Sequence, residues 1–163
     1  MKVAIIMGSD SDWSKMEAAE QELVKAGVEV DVLVASAHRT PNLVHEFVAN
    51  ARTNGIEVII AAAGAAAHLP GVVSAFTTIP VIGVPINATG LGGMDALLSI
   101  AQMPSGIPVA TMAIDGAKNA GLYAVQMLSV KYPQLVEYMA QYRANMEQEV
   151  LAKGARLRQK RGK

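Results

Sequence analysis

The sequence predicts an α/β fold, a parallel sheet covered by helices on both faces. Three observations predict it. Short runs rich in β-branched residues recur along the 163 residues, amphipathic segments lie between the first three of them, and both of those segments end in glycine, as helices often do. Alternation of this kind buries strands on both faces, and a chain of this length makes one domain with a core that needs no disulfide or metal staple.

Taken in order, KVAIIM at 2–7 is the first strand. In GSDSDW, at 8–13, Gly8 permits a tight turn, and Ser9, Ser11 and Asp12 can cap a helix beginning near Trp13. That helix, DWSKMEAAEQELVKAG, runs to Gly27 and is followed by the second strand, VEVDVLV at 28–34. SAHRTP at 36–41 comes next, with Thr40 as cap and Pro41 in the first turn of the helix NLVHEFVANARTNG. EVIIAA at 57–62 is the third strand, and AGAAAHLPG at 63–71 leads from it into a short helix, LPGVVSAFTT at 69–78. PVIGV at 80–84 and PVATMAI at 108–114 are the fourth and fifth strands, separated by a short helix, GGMDALLSIAQM at 92–103. A longer helix spans 117–131. Beyond Pro133, Leu135, Tyr138, Met139, Tyr142, Met146 and Val150 recur at helical spacing, which predicts an amphipathic helix over 134–160. No strand follows it, so its apolar face is expected to pack on a neighbouring subunit. No repeat or linker interrupts the chain, and 1–163 reads as a single domain.

Composition narrows the function. Cysteine is absent, which removes thiol catalysis, Cys-ligated zinc and iron–sulfur clusters and fits a reducing, cytoplasmic setting. The N-terminal apolar run is broken by Gly8 and two aspartates, so it reads as a strand and not a signal peptide, and no stretch is long and apolar enough to span a bilayer. Apolar residues make up 52% of the chain but aromatics only 4%. Small apolar side chains in such excess point to buried subunit contacts. The net charge is zero, yet all 14 acidic residues precede Ala152, and Lys153, Arg156, Arg158, Lys160, Arg161 and Lys163 follow it. A basic tail can bind nucleic acid, but cations at a helix C-terminus also favour the dipole, and that plainer reading ranks ahead.

In an open parallel sheet, ligands bind outside the carboxyl ends of the strands. GSDSDW, SAHRTP and AGAAAHLPG all fall there. GSDSDW lacks the Walker pattern and the full GxGxxG fingerprint, and on its own it is also an ordinary capped helix start. SAHRTP is more pointed: Arg39 offers a planar fork of donors suited to phosphate or carboxylate, and a histidine such as His38 exchanges protons near neutral pH. His68 alone would more often be a structural hydrogen-bonder, and His45, mid-helix beside Glu46, reads as ordinary surface. Three histidines without HxH or HExxH spacing make no metal site. With no nucleophile elbow and no paired carboxylates, what remains is proton transfer on a small anionic ligand.

MGSDSDW, SAHRTP, AAHLPG, GVP and QMPSGIPVATMAI, in this order, resemble the class I N5-carboxyaminoimidazole ribonucleotide mutases, also called the catalytic subunit of phosphoribosylaminoimidazole carboxylase. The likeness runs from Lys2 to about Leu128. It implies a flavodoxin-like three-layer sandwich, assembled as an octamer with the C-terminal helix in subunit contacts. It also implies a purine-biosynthesis reaction that moves a carboxyl group from the exocyclic nitrogen to carbon 4 of the ribonucleotide without metal or other cofactor. By motif, His38 is the expected general acid/base, and Ser9, Asp12, Ser36, Arg39, Gly64, His68 and Leu69 are the expected substrate-binding residues. The implied partners are the ribonucleotide, further copies of the chain, and functional coupling to the ATP-dependent enzyme that supplies the N5-carboxy substrate. One departure stands out: Ala62 and Ala65 lie where the family commonly has glycine, so positive φ at either position would strain the turn. Two other readings compete. One is direct carboxylation of aminoimidazole ribonucleotide, as in class II relatives; the other is a flavodoxin-like binding module that uses the basic tail on nucleic acid, which leaves SAHRTP and AAHLPG without a task.

Overall fold

The computed structural model describes residues 1–162. Five parallel strands, β1 (Lys2–Met7), β2 (Glu29–Val34), β3 (Val58–Gly64), β4 (Val81–Ile86) and β5 (Ala110–Thr111), form one sheet in the order β2-β1-β3-β4-β5. The helices are α1 (Trp13–Lys25), α2 (Pro41–Ala51), α3 (Leu69–Ala75), α4 (Met94–Ala101), α5 (Ala117–Ser129) and α6 (Pro133–Lys160). The predicted three layers are present.

Alternation along the strands divides the core in two. Val3, Ile5 and Met7 of β1, Val58 and Ile60 of β3, and Ile82 and Val84 of β4 pack with α1 and α5, while Ala4, Ile6, Ile59 and Ala61 face α2, α3 and α4. Two glycines allow close approach. A Cβ on Gly83 would collide with Ile100, and one on Gly121 would sit 2.7 Å from the Ala19 carbonyl oxygen, so α5 can lie directly against α1 only without a side chain there.

The strand predicted at 108–114 is reduced to two paired residues, Ile82 with Ala110 and Gly83 with Thr111. Pro108 cannot donate to the ladder, and Asp115 adopts φ 55°, so the chain follows β4 irregularly. Single bonds continue the contact, from the Met112 N–H to Gly83 O (2.9 Å) and from the Asp115 N–H to Pro85 O (2.8 Å). The short helices are also shorter than predicted, α3 stopping at Ala75 and α4 at Ala101.

The long C-terminal helix is present, but its apolar stripe is used only in part. Leu135 is buried, and Tyr138 and Met139 pack on the core. Met146, Val150 and Leu157 are 52%, 65% and 58% exposed. At its start, Glu57 accepts from Lys131 Nζ (2.7 Å) and Tyr132 Oη (2.8 Å), tying the α5–α6 corner to the base of the sheet. Burial alone would raise the Glu57 pKa, but these two donors hold it below the usual carboxylate range. Among the described residues no helix is long and apolar enough to cross a membrane.

Candidate active site

The strand order places β1 between β2 and β3, so the turns that leave these three strands meet at one edge. Between them lies a cavity of about 350 Å³ lined by Gly8, Ser9, Ser11 and Asp12 from the first turn, Ser36 to Arg39 from the second, and Ala63 to Ala66, His68 and Leu69 from the third, with Ala88 beyond β4. The eight expected catalytic and substrate-binding residues all line this cavity: Ser9, Asp12, Ser36, His38, Arg39, Gly64, His68 and Leu69.

After β1 the chain makes one 3-10 turn, Asp10–Asp12. Ser9 caps it by accepting the Ser11 N–H at 3.3 Å, whereas Asp12 stands at the α1 N-cap position without a side-chain cap bond. Asp12 is only 7% exposed. Its burial pushes its pKa up, against the opposing pull of the Ser9 backbone, the Ser11 hydroxyl and the Lys15 charge.

The SAHRTP turn is held by its own side chains. The Thr40 hydroxyl accepts the Ser36 N–H (2.8 Å) and donates to Ser36 O (3.1 Å), so Thr40 ties the turn back instead of capping α2 as expected. The Ser36 hydroxyl accepts the Arg39 N–H at 3.3 Å. Arg39 Nη2 donates to Gly8 O at 3.1 Å, which anchors one edge of the guanidinium on the first turn and leaves its other donors available.

His38 and His68 meet across the cavity. His38 Nε2 lies 2.8 Å from His68 Nδ1, with the rings edge-on at 85° and centroids 5.0 Å apart. One ring donates and the other accepts, so the contact couples the tautomers of the two side chains. Spacing alone offered no sign of this pairing, because 30 residues separate them. His45, read as plain surface, packs edge-on against Phe76 with centroids 4.8 Å apart and stays outside the site.

Ala62 lies inside β3, fully buried and without positive φ, so alanine there is unstrained. Ala65 is different, with φ 53°. Left-handed backbone costs a residue with a Cβ about 1–2 kcal/mol. Ala65→Gly is therefore expected to stabilise the protein by about 0.5–1 kcal/mol after the entropy of glycine is set against the relief, read as a higher thermal midpoint. A lower midpoint would show that the turn does not store strain.

Ala88 was not anticipated. It follows β4 and packs over the third turn, such that a Cβ on Gly64 would lie 2.6 Å from the Ala88 Cβ. The same rule that pointed to the other strand ends applied to this one. A larger hollow of about 940 Å³, lined among others by Val48, Arg52, Phe76, Pro80, Ile107 and Met127, lies away from this edge, near the start of β4, and brings no acid–base pair together. Among the described residues no group of three or more His, Cys, Asp or Glu side chains is placed to hold a metal.

Likeness to known proteins places the chain in a family. A family model described as AIR carboxylase matches residues 2–149. An N5-carboxyaminoimidazole ribonucleotide mutase of Thermotoga maritima is 51% identical over 97% of this chain and 92% of its own length. One from Pyrococcus abyssi is 58% identical over 90% of this chain and 84% of its own. The crystal structure of Treponema denticola PurE superposes with TM-score 0.85 at 28% identity, covering 96% of this chain and 98% of that one. The motifs that line the cavity all fall inside the matched span, and on that basis the chain belongs to the AIR carboxylase family.

Proposed function

We propose that this protein is an isomerase of purine biosynthesis that moves the carboxyl group of N5-carboxyaminoimidazole ribonucleotide from the exocyclic nitrogen to carbon 4. The observation that carries the reading is the His38–His68 contact at the mouth of a cavity whose remaining polar groups suit a ribonucleotide phosphate and ribose. The names of the relatives point the same way.

Arg39, Ser9 and Ser36 hold the phosphate, and Asp12 accepts from ribose hydroxyls, leaving the base at the histidines. His38 supplies a proton to the exocyclic nitrogen as its bond to the carboxyl group breaks and carbon dioxide leaves. Carbon 4 of the resulting aminoimidazole, made nucleophilic by the amino group, then attacks the carbon dioxide, and His38 takes the proton that carbon 4 loses. Protons balance across the two steps. His68 orients the His38 ring and shares the proton between them. Ala63, Ala65, Ala66, Leu69 and Ala88 give the cavity a small apolar wall, which suits transient carbon dioxide because it keeps water away from it.

The family likeness, with the exposed valines Val32 (38%) and Val34 (46%) on the edge strand and the free stripe on α6, supports an octamer in which these faces pack on other copies. The whole of 1–163 acts as one mutase domain, with the basic end of α6 in solvent.

The experiment is to supply N5-carboxyaminoimidazole ribonucleotide, and separately aminoimidazole ribonucleotide, with labelled bicarbonate present. A carboxyl group released and recaptured inside the cavity is at high effective concentration, so the first substrate is expected to give product with little label. Extensive early labelling, with equal rates from both substrates, would make the protein a direct carboxylase instead.

A further inference from the structure

We infer that Asp115, outside the cavity, is a positioning residue that holds two of its walls through Lys15 and Asn87; the inference rests on the mutase reading above. Asp115 lies in the turn between β5 and α5. Its Oδ1 accepts the Asn87 N–H at 2.9 Å, and its Oδ2 accepts from Lys15 Nζ at 2.6 Å. Lys15 Nζ also donates to Asn87 O at 3.2 Å, so both backbone polar groups of Asn87 are tied to this pair. The next residue, Ala88, is the cavity wall packed over Gly64. Lys15, for its part, is one helical turn from Asp12 on α1 and is a cation close enough to offset part of the burial of that carboxyl group. One side chain thus fixes the β4 side of the cavity and the α1 side together.

Two features argue for a role beyond closing the turn. Asp115 has φ 55°, where glycine would be at ease and any Cβ carries a cost. Its bonds to Lys15 and Asn87 are what an aspartate supplies there and a glycine does not. The ion pair, with the two side chains 32% and 35% exposed, contributes little to stability by itself. Its consequence is geometric: the backbone at Asn87 is held by a charge-assisted bond, and Ala88 follows it.

The left-handed φ selects the test. Asp115→Gly removes both side-chain bonds without adding strain, so it folds where an alanine would be penalised. Its KM for N5-carboxyaminoimidazole ribonucleotide is expected to rise about tenfold with kcat within about threefold, because the histidine pair is untouched. Asp115→Asn, whose amide oxygen still accepts the Asn87 N–H, should recover part of that loss. Lys15→Met should raise KM by a smaller factor than Asp115→Gly, and all three should keep thermal midpoints near that of the parent. A KM unchanged in Asp115→Gly, a loss confined to kcat, or an Asn variant no better than Gly would overturn the inference while the parent enzyme remains active. A parent protein that does not turn over this substrate would overturn the mutase reading and the inference with it.

Discussion

Replacing His38 by asparagine is expected to lower kcat by at least about 10²–10⁴-fold while the product still binds within about tenfold of the parent affinity. The proposed carboxyl transfer has two half-reactions. Both need one group that gives a proton to nitrogen and later takes one from carbon 4, and an amide side chain does neither at neutral pH. Asparagine has roughly the reach of the imidazole Nδ1, so it gives up the Nε2 contact with His68 but stays polar and adds no bulk, and the cavity should keep its shape. His38 also lies on a turn closed by Ser36 and Thr40 and not by its own ring, so the fold does not depend on it. The measurement is steady-state turnover of the purified variant beside calorimetric binding of 4-carboxy-5-aminoimidazole ribonucleotide. Turnover retained within tenfold would move the proton transfer to His68, the other ring of the pair.

The sheet and the location of the site were legible because both depend on local pattern. KVAIIM and EVIIAA are buried on both faces and read as uninterrupted apolar runs, and their parallel pairing puts the turns after them at one edge. The weak fifth strand was overestimated because PVATMAI has strand composition, while Pro108 and the left-handed Asp115 deny it a regular ladder. The φ of Ala65 was foreseeable as a question but not as an answer, since an alanine does not announce the backbone it occupies; the parallel doubt about Ala62 dissolved because that residue is still inside β3. His68 illustrates the other limit. Its proximity to His38 depends on β1 separating β2 from β3 and on how each turn folds back over the sheet edge, which is tertiary information that no window of the sequence contains. Asp115 was missed for the same reason, its partners lying 100 and 28 residues away.

Arg39→Ala is expected to act on binding instead, raising KM by about 2–4 kcal/mol, on the order of 30-fold to 1,000-fold, with kcat far less affected. The guanidinium is already anchored on Gly8 O by one Nη2 bond, so it meets a phosphate without first losing rotamer freedom. Its backbone N–H is bonded to the Ser36 hydroxyl, which aligns the same turn that carries His38. Truncation removes the charge and the planar fork together but leaves the histidine pair 2.8 Å apart, and the predicted division between KM and kcat follows from that separation of tasks. Arg39→Lys supplies the control, since a lysine keeps a positive charge but loses the bidentate fork and the anchored geometry; its KM should fall between the parent and the alanine variant. The loss should also shrink as salt rises, because an exposed charge on phosphate is screened. An alanine variant with unchanged KM would place the phosphate elsewhere in the cavity, with the helix-start amides near Ser9 as the next site to test.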